Sequence, residues 1–341
     1  FAALAAEQQA AVEKARAVYL DAGGTRDVGT DVMMLRFCTD AKFDEKKCLE
    51  KIRERVKFEN NRIIQIEVLQ TFIADMAKKN KPGDSESPQY GVGTLAYRDD
   101  PDYAFTPAAV RSSFLAGRKL ASFPLVAKFF ETCAMLPLLG ETQQGDALDY
   151  LAYGSIDARS FLLNVPQWDY YHATVTLLEW QYLQLDLLSL RRGDGTLVRM
   201  FSMKDLAGTT RKHYSHAMFE ALSKSVGLCD DFYPELCGCI CVANAPALFP
   251  PVWAVFKWFL ARDFRDKIRI YTKGALNLVD TVPAKLVPAC YAGELKQLPM
   301  ETQEAWGLDL IAEPAYSRLF PGPPEFLGSF HRAPAAAGAQ E

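Results

Sequence analysis

Three cysteines, Cys237, Cys239 and Cys241, alternate along one apolar stretch. Two histidines, His213 and His216, stand one helical turn apart upstream of it. Thiolates and imidazoles at close spacing are the raw material of a metal centre. Zinc, however, takes closely spaced cysteine pairs on turns with a second pair elsewhere. Residues spaced by two along a strand share a face, about 7 Å apart per step. The cysteines therefore read as one face of a buried strand. The histidines have no third ligand and no neighbouring glutamate in sequence, so they read as capping or solvated residues; His172 and His331 are isolated. The glycines of "GVG" and "GDG" are not followed by the Lys-Ser/Thr of a phosphate loop, and no G-x-S-x-G is present. No catalytic set and no metal site emerge, and the chain is not expected to be an enzyme.

The elements around these residues change character along the chain. Residues 5–20 read as a helix rich in Ala and Glu, broken by "GGTRDVGT". "DVMMLRFCTDAKF" follows as a short apolar helix capped by Thr30 or Asp31. Asp44 then opens a helix whose Cys48, Leu49, Ile52 and Val56 fall at helical spacing. "IIQIEVLQTFIADMAKK" is a further helix. "KNKPGDSESPQYGVG" is polar and rich in Gly, Pro and Ser, hence a loop. Beyond it, "DALDYLAYGSI", "TLVRMFSMKDL", "CGCICVANAP" and "DKIRIYT" read as strands. A helix from about Thr209 to Val226, with Tyr214, Met218, Leu222 and Ser225 on one side and Gly227 as its stop, lies between the second and third. "PVWAVFKWFLARDF" is a helix between the third and fourth. This β-α-β-α-β order predicts an α/β fold with a mainly parallel sheet.

The longest apolar run, Cys239 to Ala261, is nearly long enough to cross a bilayer, which takes about 20 residues. Pro246, Pro250, Pro251, Asn244 and Lys257 interrupt it, and it divides instead into a buried strand and a helix opened by proline. On that helix Val252, Val255, Phe256, Phe259 and Leu260 form one face, with Trp253, Lys257 and Trp258 toward the other. This is more apolar surface than one buried face needs, which points to a ligand cavity or a membrane surface.

Several blocks together resemble the CRAL-TRIO lipid-binding family, which includes the yeast-type phosphatidylinositol transfer proteins and cellular retinaldehyde-binding protein. "MMLRFCTDAKFDEKKC" is similar to the family's N-terminal helical signature, and "FSMKDLAG" to its strand ending in Asp-x-x-Gly. "YPELCGCICVANAPALFPPVWAVFKWFLARDFRDKI" resembles Tyr-Pro-Glu, a strand, Asn-Ala-Pro, the gate helix and a closing Lys-Ile; "GDALDYLAYGSIDARSFL" is a weaker block.

The resemblance implies a helical lobe packed on an α/β lobe whose sheet floors an apolar pocket. The helix from Pro251 to about Arg262 closes it as a gate. It implies domain bounds of 1–80 for the helical lobe, 81–105 for a linker, 106–296 for the lipid-binding domain and 297–341 for a partly disordered extension. It implies ligand contacts from Glu235 and Lys267 toward a headgroup, and from Ser202, Met200, Tyr150 and Phe264 elsewhere. Some positions depart from the pattern. The basic run of the N-terminal signature is Thr39-Asp40-Ala41, leaving Arg36 and Lys42; a tyrosine position is Asp149, with Tyr150 beside it; a threonine position is Phe264, and a hydroxyl position is Met200.

The function these readings predict is a peripheral lipid-binding or lipid-transfer protein. It needs no cofactor beyond a bound phospholipid or other hydrophobic molecule, and its partner is the membrane surface rather than nucleic acid, which the net charge of −4 does not favour. The "RDFRDKIR" run is a solvated face or a contact for anionic lipid. The alternative is a structural or adaptor subunit that reuses the fold among protein partners. Eight scattered cysteines without a disulfide framework suggest a reducing compartment. The expected location is cytoplasmic and peripheral to membranes; the alternative, from the start at Phe1, is an organelle after presequence removal.

Overall fold

The computed structural model describes residues 4–60, 106–156, 167–214, 225–247, 249–259, 262–271, 282–289 and 293–308. The helix expected over 63–79, the linker, Met218, Leu222, Leu260 and the Pro-rich tail lie outside them. Helices α1 (Ala6–Asp21), α2 (Thr30–Asp40) and α3 (Glu45–Asn60) open the chain. Asp44 Oδ1 accepts from the Lys47 amide and so caps α3. The cap of α2 is Gly29, not Thr30 or Asp31: Thr30 is the first helical residue, and its hydroxyl accepts from the Asp27 amide in the preceding turn. Helices α4 (Pro107–Leu115) and α5 (Pro124–Thr132) each begin with proline, where the missing N–H has no helical partner to lose.

One sheet follows, in the order β1 (Ala134–Glu141), β2 (Ala147–Ala152), β3 (Met200–Asp205), β4 (Cys237–Ala243), β5 (Ile268–Ile270). β1 runs antiparallel to β2; all other neighbours are parallel. The fold is therefore α/β with a mainly parallel sheet. Between β2 and β3 runs α6 (Gln167–Arg192), a 26-residue helix.

Elsewhere the helices are less regular than the sequence suggests. Arg211–Tyr214 is a 3-10 turn, and residues 225–232 are helical straight through Gly227, which therefore stops nothing. Helix α7 (Phe249–Phe256) gives way to a 3-10 turn at Lys257–Phe259, and a separate short helix, α8 (Arg262–Arg265), precedes β5. α9 (Met300–Trp306) packs Trp306 edge-on against Trp180 of α6. No described helix is long and apolar enough to cross a membrane.

Apolar residues gather on both sides of the sheet. The larger cluster joins α1–α6 to Leu148 and Tyr150 of β2, Phe201 and Met203 of β3 and Cys241 and Ala243 of β4. The smaller consists of Leu206, Ile240, Val242, Ala245 and Phe264, with Phe249, Trp253, Ile268 and Ile270 packed on it. Period-two alternation separates the two faces along the middle of β3 and β4, with Phe201, Met203 and Cys241 on one side and Ser202, Lys204, Ile240 and Val242 on the other.

Candidate functional site

The ends of β3 and β4 are locked together by the residues of two sequence blocks. Asp205 Oδ1 accepts from the Ala207 amide and from the side-chain amide of Asn244, so a turn and a strand end share one carboxylate oxygen. Gly208 follows with φ +80°, a left-handed conformation suited to glycine. Gly154 is equally constrained, because a Cβ there would collide with the Ala207 carbonyl. The Asp-x-x-Gly and Asn-Ala-Pro signatures thus hold the strand ends in register.

The other two blocks meet at a buried ionic centre. Tyr233 donates to Glu179 Oε1, and the Pro234 carbonyl accepts from Tyr182 of α6. The Glu235 carbonyl, in a left-handed turn at φ +57°, accepts from Arg36 of α2. Arg36 also pairs with Asp186 of α6 at 2.8 Å and donates to Ser189 and the Val198 carbonyl, with no side-chain exposure. Arg36 is thus consumed inside the fold and is not a leftover cation for phosphate. Arg55 bridges Glu59 and Glu179, and Arg111 bridges Asp27 and Asp186. Burial pushes the Glu179 carboxyl up, with Arg55 opposing. Burial also acts to raise Asp27, but the hydrogen bond and charge of Arg111 outweigh it and hold that carboxyl low.

The sheet face beneath α7 is built differently. Register places Asp149 of β2 beside Ser202 of β3, and Ser202 beside Ile240 of β4. Ile240, Val242, Ile268 and Ile270 make its β4–β5 half apolar, while Ser202, Lys204 and Asp149 make its β2–β3 half polar. Lys204 Nζ lies 3.0 Å from Asp149 Oδ2. Burial, and then the charge of Asp149, push the nearby Cys237 thiol up to about 12. Cys239 behaves oppositely: a hydrogen bond from Cys241, opposed by burial, holds it down to about 7.

The sequence-selected residues fall in different places. Ser202 is buried on the face under α7, and Phe264 of α8 is buried in the small cluster on it. Tyr150 points to the opposite, larger core, and Met200 is buried with that core where β3 begins. Glu235 sits before β4 with its carboxylate 2.5 Å from Arg199. Lys267 sits one strand over, its carbonyl accepting from the Ile240 amide. Trp253 is not on the outer side of its helix: it stacks with Phe249 and packs toward the sheet, whereas Val252 is half-buried and Trp258 is 78% exposed. Val255, Phe256 and Phe259 lie on α7 and its 3-10 extension. His213 caps a turn: its Nδ1 accepts from the Thr210 amide, which leaves Nε2–H to donate to the Ile156 carbonyl. No group of three or more His, Cys, Asp or Glu among the described residues is placed to hold a metal ion.

Two residues that sequence reasoning passed over, Lys204 and Arg199, turn out to hold Asp149 and Glu235. The signal for Lys204 was visible: it is the one cation in β3, two residues from Ser202 and so on the same face.

Residues 133–293 match the CRAL/TRIO domain family, a span that includes the whole five-strand sheet. The matched span takes in Ser202, Glu235, Lys267, Phe264 and α7. A solved structure titled "Crystal structure of Sfh5" is similar over 81% of this chain and 83% of its own, at 12% identity and a TM-score of 0.48.

Proposed function

We propose that this chain is a peripheral lipid-binding and lipid-transfer protein, holding one lipid between the β3–β5 face and α7. The observation that carries the reading is the CRAL/TRIO match over a sheet whose α7 side is apolar at Ile240, Val242, Ile268 and Ile270. A lipid tail costs about 0.8 kcal/mol per CH₂ held in water, so a carrier needs such a face and a movable cover. In this reading Val252, Trp253, Val255, Phe256, Phe259 and Leu260 form the cover. The change from α-helix to 3-10 turn at Lys257 marks where it hinges. Trp258, exposed beside Lys257, is where the cover touches the bilayer. The headgroup end belongs to Glu235 and Lys267, and a polyol reaching Glu235 must displace Arg199. The protein works in the cytoplasm at membrane surfaces and acts by binding rather than catalysis.

The test is transfer of a fluorescent lipid between donor and acceptor vesicles. Transfer by the wild-type chain that falls with Phe256→Asp, which puts a charge on the cover, supports the carrier. No transfer by the folded wild type rejects it.

One observation favours the adaptor-subunit reading: Phe264 packs with Leu206, Ile240 and Val242, so this chain's own aromatic ring covers part of the face. Stable protein partners on purification, with no lipid, would decide for it.

A further inference from the structure

Asp149 is 5% exposed, in the middle of β2 on the face beneath α7. One carboxylate oxygen, Oδ2, takes the ammonium of Lys204. The other, Oδ1, is buried and has no hydrogen-bond partner. A carboxylate oxygen can only accept, and one buried without a donor from the protein is a standing cost unless something donates to it in the working state. Ser202 lies directly beside Asp149 in the register, and the apolar residues Ile240 and Val242 continue the same face.

We propose that Asp149, held by Lys204 and flanked by Ser202, anchors the hydroxyl group of an uncharged lipid alcohol whose apolar body lies along Ile240 and Val242. The inference rests on the lipid-carrier reading and names the class of its cargo. The charges select it. Lys204 is already neutralised by Asp149, so the pair offers little attraction to a phosphate. Its ammonium, 3.0 Å from the carboxylate, opposes a second cation. A neutral O–H remains: it donates to Oδ1 and adds no charge to a buried site. The same geometry rejects an ether, which fills the space but leaves Oδ1 unpaired.

The test uses two matched pairs of probes in phosphatidylcholine vesicles: a diacylglycerol and its methyl ether, and cholesterol and its methyl ether. The full chain is incubated with each, reisolated, and its captured lipid counted by mass spectrometry. Wild type is expected to take at least one alcohol about ten- to a hundred-fold better than its ether, the range for a hydrogen bond to a charged group. The double variant Asp149→Leu/Lys204→Met removes the pair together, which leaves no lone buried charge. It is expected to lose the preference while capturing the ether as well as wild type does. Asp149→Asn, which keeps an acceptor oxygen, is the second variant and should retain part of the preference. Equal capture of alcohol and ether by wild type, or capture of phosphatidylcholine ahead of both, overturns this inference and leaves the carrier reading standing. Capture of no lipid at all overturns both.

Discussion

The carboxylate of Glu235 and the guanidinium of Arg199 meet at 2.5 Å, partly buried, where β3 begins and the left-handed turn enters β4. The headgroup arm that the resemblance assigns to Glu235 therefore comes with a competitor built into the chain. Arg199→Ala is expected to raise capture of phosphatidylinositol over wild type. Glu235→Ala and Lys267→Ala should lower it by about ten-fold or more, with sterol capture unchanged. If both alanine variants bind every lipid as wild type does, neither residue meets a headgroup.

Arg36 and Asp186 tie α2 to α6 with no exposure on either side chain. Arg36→Ala leaves Asp186 with Arg111 alone and strips donors from the Val198 and Glu235 carbonyls. Urea unfolding should show a loss of about 3–5 kcal/mol, the usual cost of breaking one side of a buried pair. Lipid capture per folded molecule should hold. A variant with wild-type stability but weakened phospholipid capture would return Arg36 to the ligand.

Phe264 tests whether the face beneath α7 is space for cargo or packing alone. Phe264→Ala should cost about 3 kcal/mol or more, as large-to-small changes at buried aromatics do. If the face takes lipid, vesicles supplying it should restore much of that: ligand at a hundred times its dissociation constant adds about 2.7 kcal/mol. A variant whose melting temperature ignores lipid would show that the protein closes the face for itself.

Trp258 is the large apolar side chain that α7's extension leaves in solvent, with Lys257 beside its ring. Trp258→Ala should weaken co-sedimentation with vesicles roughly ten-fold, the equivalent of about 1.4 kcal/mol of lost burial. Lys257→Ala should matter for anionic vesicles at low salt and little at high salt. Unchanged sedimentation of Trp258→Ala would move membrane contact elsewhere.

Strands β2 to β5 were legible because alternation and turn signals agree there, as in "RGDG" before β3. β1 was not, because Pro137 and Gly140 interrupt it; the pairing with β2 shifts register between Leu136 and Gly140, as tolerated on an edge strand. α6 was missed for the opposite reason. It is enclosed nearly all round, and its buried positions include Glu179, Gln181 and Asp186, so no clean apolar stripe marks it. The motif positions Ser202, Glu235 and Lys267 could be read from sequence. The partners of Glu235 and Asp149 could not, because Arg199 reaches Glu235 across 36 residues and Lys204 reaches Asp149 across 55. Only the parallel register of β2, β3 and β4 brings them together.

A lipid carrier of this design holds one lipid per chain. Native mass spectrometry of the full chain, purified and then incubated with mixed-lipid vesicles, measures this most directly. A second species is expected, heavier by the mass of a single lipid, saturating at one per chain and removed by organic extraction. A bare chain at every vesicle concentration, or a variable number of lipids without saturation, would contradict it.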